Sequence, residues 1–292
     1  MPDDGYRTID ANGLRFAYLE AGGGPLVLCL HGFPDTPHTF ESLLAHLASS
    51  GYHAVAPFSR GIYPTTTPEN EDYSPLELGR DALALIEAFG QTSGAIVGHD
   101  WGAQEAYAAA NLNPARVSKM VTVAIPHSRA IQASFKLMRR GWHFGVFQLP
   151  FVPERMARRN DFALVEQLWR AWSPHLHPDP RLLNYVKASY SHPSSLKAAL
   201  GYYRAMPSAL GGMTKRRRQE REILYRKTSV PTLCVWGSED GVFDASVFAR
   251  TTEAFTGPYK LVEMKGTGHF LHQECSREFD EIVTEFLASP VH

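Results

Sequence analysis

The chain has 292 residues, of which 44% are hydrophobic and 20% are charged, as in a globular protein that can bury a large core. Its 29 lysines and arginines nearly balance its 30 aspartates and glutamates, and the net charge of −1 argues against nucleic acid or an anionic membrane as a partner. Three scattered cysteines argue against a disulfide framework or a zinc site, and no segment resembles a membrane helix or a signal peptide. We therefore expect a cytoplasmic protein that needs no metal.

Short strand patterns alternate with helical patterns at both ends of the chain. The first two strands are predicted within residues 7–22, joined by a hairpin turn at Asn12–Gly13. The later strands are predicted at 26–32, 51–57, 93–98, 117–124, 232–236 and 259–264, and the helices at 38–49, 75–89, 103–112, 245–254 and 276–287. This alternation predicts an α/β fold in which helices flank both faces of a mostly parallel sheet.

The middle of the chain has a different pattern. Between residues 127 and 227 the strand signal disappears, and short helical segments rich in aromatic residues, Arg and Pro replace it. Because the alternation of strands and helices resumes afterwards, we interpret 127–227 as a helical cap inserted into one core. That core is predicted to comprise residues 1–126 and 228–292.

The segment Gly98–Ala103 follows an apolar strand and opens a helix. Its small residues surround Asp100, as in the nucleophile elbow, where a sharp turn between strand and helix presents one side chain to a pocket. A carboxylate that attacks a carbonyl gives an anhydride, whereas attack on saturated carbon gives an ester that water can cleave. An aspartate at the elbow therefore favours an epoxide or an alkyl halide as the electrophile.

Such an ester needs a base to activate water and donors to stabilise the oxyanion. His269 follows the strand at 259–264, and Asp240, which could orient it, follows the strand at 232–236; Glu239 and Asp244 are weaker alternatives for the acid. Phe33 lies in the turn after the strand at 26–32. The backbone N–H groups of Phe33 and Trp101 are expected to form the oxyanion hole, and a cis bond before Pro34 would suit the turn.

The segments HGFP at 31–34 and GHDWGA at 98–103, with the order Asp100, Asp240, His269, make the chain resemble α/β-hydrolases of the epoxide hydrolase and haloalkane dehalogenase branch. The resemblance spans nearly the whole chain. It implies the α/β-hydrolase fold with a helical cap and no cofactor. It also implies a small hydrophobic epoxide and water as the reacting partners. The oligomeric state is left open, a homodimer included.

In epoxide hydrolases two cap tyrosines donate to the epoxide oxygen. The segment GYYRAM at 201–206 is similar to the family's W-Y-R segment and places Tyr203 at one of these positions. Matching FQLP at 147–150 to the other cap segment places His143 where the second tyrosine is expected. This is a departure from the family pattern, although a histidine can also donate to an oxyanion.

Two other functions remain open. Haloalkane dehalogenases share the aspartate nucleophile, but they often carry Asn where this chain has Phe33, which offers no side-chain donor. Fluoroacetate-type dehalogenases hold the substrate carboxylate with two arginines. This chain has Trp101 and Gln104 at those positions, which argues against a small charged haloacid as the substrate. A non-enzymatic member that binds a ligand or partner would have no need of a nucleophile, an acid and a base together.

Overall fold

The computed structural model describes residues 6–132, 134–206 and 214–290, and one sheet of eight strands organises them. The strands are β1 Arg7–Ala11, β2 Leu14–Gly22, β3 Leu26–Leu30, β4 His53–Pro57, β5 Gly94–His99, β6 Val117–Val123, β7 Thr232–Gly237 and β8 Tyr259–Met264. They lie in the order β1-β2-β4-β3-β5-β6-β7-β8. The pairs β1–β2 and β2–β4 are antiparallel and all the others are parallel, so the predicted mostly parallel sheet is confirmed.

Helices cover both faces of the sheet. Those of the described ranges are α1 Glu41–Ser49, α2 Pro75–Ala88, α3 Trp101–Leu112, α4 Phe135–Arg140, α5 Trp142–Val146, α6 Val152–Arg158, α7 Ala163–Trp172, α8 Pro180–Ser191, α9 Pro193–Ala205, α10 Lys215–Tyr225, α11 Ala245–Ala249, α12 Leu271–Glu274 and α13 Ser276–Ala288. None of them combines the length and the apolar character that crossing a bilayer requires.

The central strand β3 is buried along its whole length, and its side chains alternate between two apolar layers. Val27 and Cys29 belong to the layer formed with α1 and α13, whereas Leu28 and Leu30 belong to the layer formed with α2 and α3. Several aromatic residues of the segment between β6 and β7 join this second layer, among them Phe147, Trp169 and Trp172. That segment therefore packs on the sheet domain as part of one hydrophobic core.

Local sequence signals explain several boundaries. Asn12 and Gly13 have φ values of 44° and 75° between β1 and β2, as a tight hairpin turn of this kind requires. The Ser74 hydroxyl caps α2 by accepting from the Glu77 amide. The helices α4 to α10 all lie between β6 and β7. The limits predicted for the cap, at 127 and 227, fall in the connections that join this helical segment to those two strands.

Three predicted helices differ from the observed ones by more than one residue. The helix predicted at 245–254 is wrong in length: it ends at Ala249, because the Val247 carbonyl accepts from the Arg250 amide and the Thr251 hydroxyl, and a 3-10 turn follows. The helix predicted at 103–112 begins earlier, at Trp101. The helix predicted at 38–49 begins as a 3-10 turn and becomes α-helical only at Glu41.

Candidate active site

Asp100 connects β5 to α3 in a strained backbone conformation, with φ of 50° and ψ of −117°. A positive φ is costly for a residue with a Cβ, and it persists where the surrounding structure enforces it. Here the Asp100 carbonyl accepts from the amides of Ala103 and Gln104 at 3.0 and 3.3 Å, so that the helix starts immediately after the turn. The conformation is that of the predicted nucleophile elbow.

Glycines around Asp100 make this turn possible because neighbouring backbones approach very closely. A Cβ at Gly98 would lie 2.1 Å from the Gly102 carbonyl oxygen, and one at Gly102 would lie 2.0 Å from the Leu30 carbonyl oxygen. A Cβ at Gly32 would lie 2.4 Å from the Asp100 Cβ. Side chains at these positions would displace the aspartate, so each glycine has a steric reason to be present.

The turn after β3 holds one oxygen of the Asp100 carboxylate. The Phe33 amide donates to Asp100 Oδ1 at 2.8 Å, and the bond between Phe33 and Pro34 is cis. Trp101 begins α3, where the first N–H groups of a helix have no partner within the helix. The His31 ring hydrogen-bonds the Gly32 carbonyl and the Ser59 amide and so supports this turn.

His269 lies between two carboxylates. Its Nδ1 is 2.9 Å from Asp240 Oδ2, and its Nε2 is 3.5 Å from Asp100 Oδ2. The Val242 and Phe243 amides donate to Asp240 Oδ1 at 2.6 and 3.1 Å and hold that carboxylate in position. Asp100, Asp240 and His269, the nucleophile, acid and base predicted from the sequence, thus meet at the carboxyl ends of the parallel strands. Glu239, the weaker candidate acid, instead pairs with His175 at the surface.

The electrostatics of this group favour a charged imidazole. Burial alone would lower the pKa of His269, but the charge of Asp240 and the hydrogen bond and charge of Asp100 outweigh it and raise the pKa well above its usual value. His269 is fully buried and Asp100 is 9% exposed, so bulk water screens these interactions only weakly. Loss of the charge on Asp100 would therefore lower the pKa of His269.

Tyr203, on α9, is buried beside the elbow. Its ring lies 5.1 Å from that of Trp101 and 5.4 Å from that of Phe33, and its side chain hydrogen-bonds Trp101. Burial and the charge of Asp100 raise the pKa of its hydroxyl well above the usual value. The phenol consequently stays protonated at neutral pH and can act as a hydrogen-bond donor.

His143, on α5, faces the same space. Its ring is 5.9 Å from that of Tyr203 and 4.8 Å from that of Trp172, and it is 1% exposed. Burial lowers its pKa to about 4 even though Asp100 acts in the opposite direction, so the imidazole is neutral. Within the described ranges its Nδ1 has no hydrogen-bond partner, which leaves a polar atom beside the aspartate for a ligand to satisfy.

Two aromatic side chains of the site are absent from the sequence predictions of function. Tyr190, on α8, packs 5.8 Å from the Phe33 ring and accepts from the backbone amide of Asp35, within electrostatic range of Asp100. Trp172 packs 5.4 Å from the His269 ring. Spacing within an aromatic-rich helical segment does not distinguish such residues from ordinary packing residues, because only the fold brings their helices to the elbow.

Solved structures with the same fold cover nearly the whole chain. Epoxide hydrolase A from Mycobacterium thermoresistibile superposes with a TM-score of 0.83 at 24% identity, over 98% of this chain and 99% of that one. An epoxide hydrolase from Vigna radiata superposes with a TM-score of 0.81 at 24% identity, over 97% of each chain. At this identity the likeness shows the fold alone.

Sequence relatives extend over the same length. The chain is 27% identical to the AB hydrolase superfamily protein YfhM of Bacillus subtilis over 96% of both chains. It is also 27% identical to an epoxide hydrolase of Caballeronia sordidicola, over 96% of this chain and 92% of that one. The sequence profile described as the alpha/beta hydrolase fold matches residues 25–274. The chain belongs to the α/β hydrolase fold family.

Proposed function

We propose that the protein is an epoxide hydrolase, which converts an epoxide and water to a vicinal diol through an ester of Asp100. The observation that carries this proposal is that Asp100 lies between two sets of groups. On the cap side are two buried, uncharged donors, Tyr203 and His143. On the sheet side is His269, which pairs with both Asp100 and Asp240. Relatives that bear the name epoxide hydrolase support the same activity.

In the first step Asp100 opens the ring. Its Oδ1 accepts from the Phe33 amide, so Oδ2, which lies 3.5 Å from His269 Nε2, is the oxygen that attacks a ring carbon while the carbon–oxygen bond breaks. The leaving oxygen takes the proton of the Tyr203 hydroxyl, and an N–H of neutral His143 hydrogen-bonds it. A strained alkoxide needs such donors because it is a poor leaving group without protonation.

In the second step His269 activates water. Ester formation removes the negative charge of Asp100, and the pKa of His269 falls. The imidazole gives up its proton, which restores the Tyr203 hydroxyl that was deprotonated in the first step, and becomes a base. The water attacks the ester carbonyl, whose oxygen is Oδ1, and the Phe33 and Trp101 amides stabilise the resulting oxyanion. The intermediate collapses with breakage of the bond between the ester carbonyl carbon and the diol oxygen. That oxygen leaves with the remaining proton of the attacking water, Asp100 is again a carboxylate, and His269 keeps the proton that it took from the water.

The walls of the site favour an apolar substrate. The rings of Phe33, Trp101 and Phe147 surround Tyr203 at centroid distances of 4.9 to 5.4 Å. Such walls provide dispersion contacts and exclude water, while the polar groups orient the reacting atoms. A small hydrophobic epoxide is therefore the proposed substrate class.

Trapping of the ester tests the proposal directly. The His269→Gln variant, incubated with styrene oxide or 1,2-epoxyhexane, should gain the mass of the whole epoxide, localised to Asp100 by peptide mapping. The matched control, Asp100→Asn combined with His269→Gln, should gain none. An adduct from 1-bromobutane alone, with release of bromide, would instead establish a haloalkane dehalogenase. No adduct from any of the three compounds would contradict nucleophilic catalysis by Asp100.

A further inference from the structure

Three buried metal-ligating side chains that the proposed reaction does not use lie beside His269. Asp35 follows the turn after β3, His99 ends β5 and His272 is on α12, and their side chains are 1%, 0% and 3% exposed. One ligand atom of each lies within 4.8 Å of those of the other two. The rings of His99 and His272 are 4.4 Å apart, and that of His99 is 5.0 Å from the His269 ring.

The hydrogen bonds of His99 define which of its nitrogens carries the proton. His99 Nε2 is 3.0 Å from the His269 carbonyl oxygen, which can only accept, so Nε2 is protonated and Nδ1 carries a lone pair. His272 Nε2 is 2.7 Å from Thr39 Oγ1, which also accepts from the Gln273 amide, so this contact fits either tautomer of His272, and the tautomer protonated on Nε2 has a lone pair on Nδ1. Neither Nδ1 has a hydrogen-bond partner within the described ranges.

This is the arrangement in which histidines usually bind metals. A ligating histidine generally donates its other ring N–H to a carbonyl, carboxylate or other acceptor, which orients the ring. His99 Nε2 makes such a contact with the His269 carbonyl oxygen at 3.0 Å, and His272 Nε2 lies 2.7 Å from Thr39 Oγ1.

Gln273 follows His272 in the chain and contacts the same group. Its amide nitrogen donates to Thr39 Oγ1 at 2.9 Å, while its Oε1 has no partner among the described residues. It is only partly buried, so movement of this side chain gives a cation a route to the buried ligands. The amide oxygen, or a water, could serve as a fourth ligand.

We propose that Asp35, His99 and His272 form a binding site for one first-row transition-metal dication of the Zn²⁺ type. Two imidazole nitrogens and one carboxylate oxygen are a ligand set found for such metals in proteins. The sequence predicts no metal because the ligands come from three separate segments and have none of the usual spacing. The competing occupant is a water molecule, which the lone pairs and the carboxyl could also hold.

Binding of Zn²⁺ to the metal-free protein tests the site without any substrate. Isothermal titration should give one Zn²⁺ per chain, and Co²⁺ should give the visible absorption of a site of low coordination number. Asp35→Asn and His272→Phe should each weaken Zn²⁺ binding more than tenfold. Asp35→Asn preserves side-chain volume, and circular dichroism of both variants separates lost binding from lost folding.

The matched control removes the other accessible histidine pair. His175 and His177 are exposed, and His175 pairs with Glu239 at 2.7 Å, so this pair is the surface alternative for the cation. The double variant His175→Ala, His177→Ala should bind Zn²⁺ as the unmodified protein does. The absence of saturable Zn²⁺ binding, or binding that is lost in this double variant but unchanged in Asp35→Asn, would overturn the proposal and assign the cluster to water.

A bound cation should also act on His269. This consequence rests on the proposed function: a cation bound to His99, whose ring is 5.0 Å from that of His269, would place a positive charge near the imidazole that takes a proton from water, and the repulsion would disfavour that step. Zn²⁺ should therefore slow hydrolysis of the trapped ester more than its formation, and the inhibition should weaken in His272→Phe. Inhibition of equal size in that variant would contradict this site as its origin, while the titration tests binding independently.

Discussion

The candidate site has two halves, one on the sheet and one between the cap helices, and different interactions hold them. On the sheet, Asp100 and Asp240 accept backbone hydrogen bonds, and His269 is paired with both carboxylates. In the cap, Tyr203 and His143 are neutral and lie among aromatic rings, with His143 Nδ1 lacking a partner among the described residues.

This difference separates two tasks. In the proposed reaction the charged half forms and hydrolyses an ester whatever group leaves, because its groups act on Asp100 and on water. The neutral half is proposed to contact the leaving atom, so that its donors decide whether an alkoxide can depart. Changes on the sheet should therefore affect every substrate, whereas changes in the cap should affect substrates according to their leaving group.

The largest effect is expected on the sheet, for Asp240→Asn. The Asn oxygen can keep the bonds from Val242 and Phe243, so its NH₂ group faces His269 Nδ1 and stabilises the tautomer with the proton on Nε2. That tautomer cannot accept a proton from water, and ester hydrolysis should slow by about 10³- to 10⁴-fold. Rapid-quench mass spectrometry should show the ester accumulating.

The matched control for this variant is the neighbouring Glu239→Gln. Glu239 pairs with His175 at the surface, and 45% of its side chain is exposed. The Glu239→Gln variant should therefore hydrolyse the ester within about twofold of the normal rate. A comparable loss in Glu239→Gln, or hydrolysis at the normal rate in Asp240→Asn, would remove Asp240 from its proposed role.

The second-largest effect on the rate is expected for a substitution in the cap. Tyr203→Phe keeps the ring and its aromatic contacts but removes the proton donor, so ring opening of styrene oxide should slow by about 10²- to 10³-fold. The hydrolysis rate of an ester already formed should change little. Single-turnover measurements separate the two steps. A loss of rate confined to ester hydrolysis would show that Tyr203 acts on that step and not on ring opening.

How much the sequence reveals also differs between the two halves. The elbow is predictable because Gly98 and Gly102 have no space for a Cβ, a requirement that leaves a local signature around Asp100. Asp240 and His269 are predictable because each follows a strand, and the carboxyl ends of parallel strands meet at one edge of the sheet.

The cap offers no such rule. Its helices are short, and their aromatic residues serve packing and function alike, so the sequence placed Tyr203 and His143 only through the family resemblance and left Tyr190 unassigned. The cluster of Asp35, His99 and His272 was unpredicted for a related reason. Its members lie up to 237 positions apart, and burial, which the sequence does not show, makes them unusual.

The pH dependence should distinguish the two steps on the sheet itself. In the free protein two carboxylates raise the pKa of His269, so the imidazole is protonated at neutral pH and Asp100 can still attack. In the ester only Asp240 remains charged and the pKa of His269 is lower. Lowering the pH from 8 to about 5 should therefore slow hydrolysis, by up to about tenfold per unit below that pKa, and leave ring opening nearly unchanged.

Stopped-flow fluorescence of the site tryptophans offers a measure of both steps across this range. Identical pH profiles for ester formation and hydrolysis would mean that His269 does not change its protonation state on alkylation. The electrostatic coupling between Asp100 and His269 would then be weaker than their 3.5 Å separation implies.

The smallest effect is expected for His143→Gln, which tests whether the departure from two tyrosines matters. Glutamine retains an N–H donor but not the imidazole ring, whose contacts with Tyr203 and Trp172 orient it. Ring opening should slow by about tenfold, and His143→Phe, which removes the donor, should slow it further, since an unpaired alkoxide in a buried site costs about 1–3 kcal/mol. Replacement by tyrosine should restore the rate toward the original value if the second donor acts on the epoxide oxygen. Equal rates for the Gln, Phe and Tyr variants would reduce His143 to a packing residue and leave Tyr203 as the only cap donor in the proposed reaction.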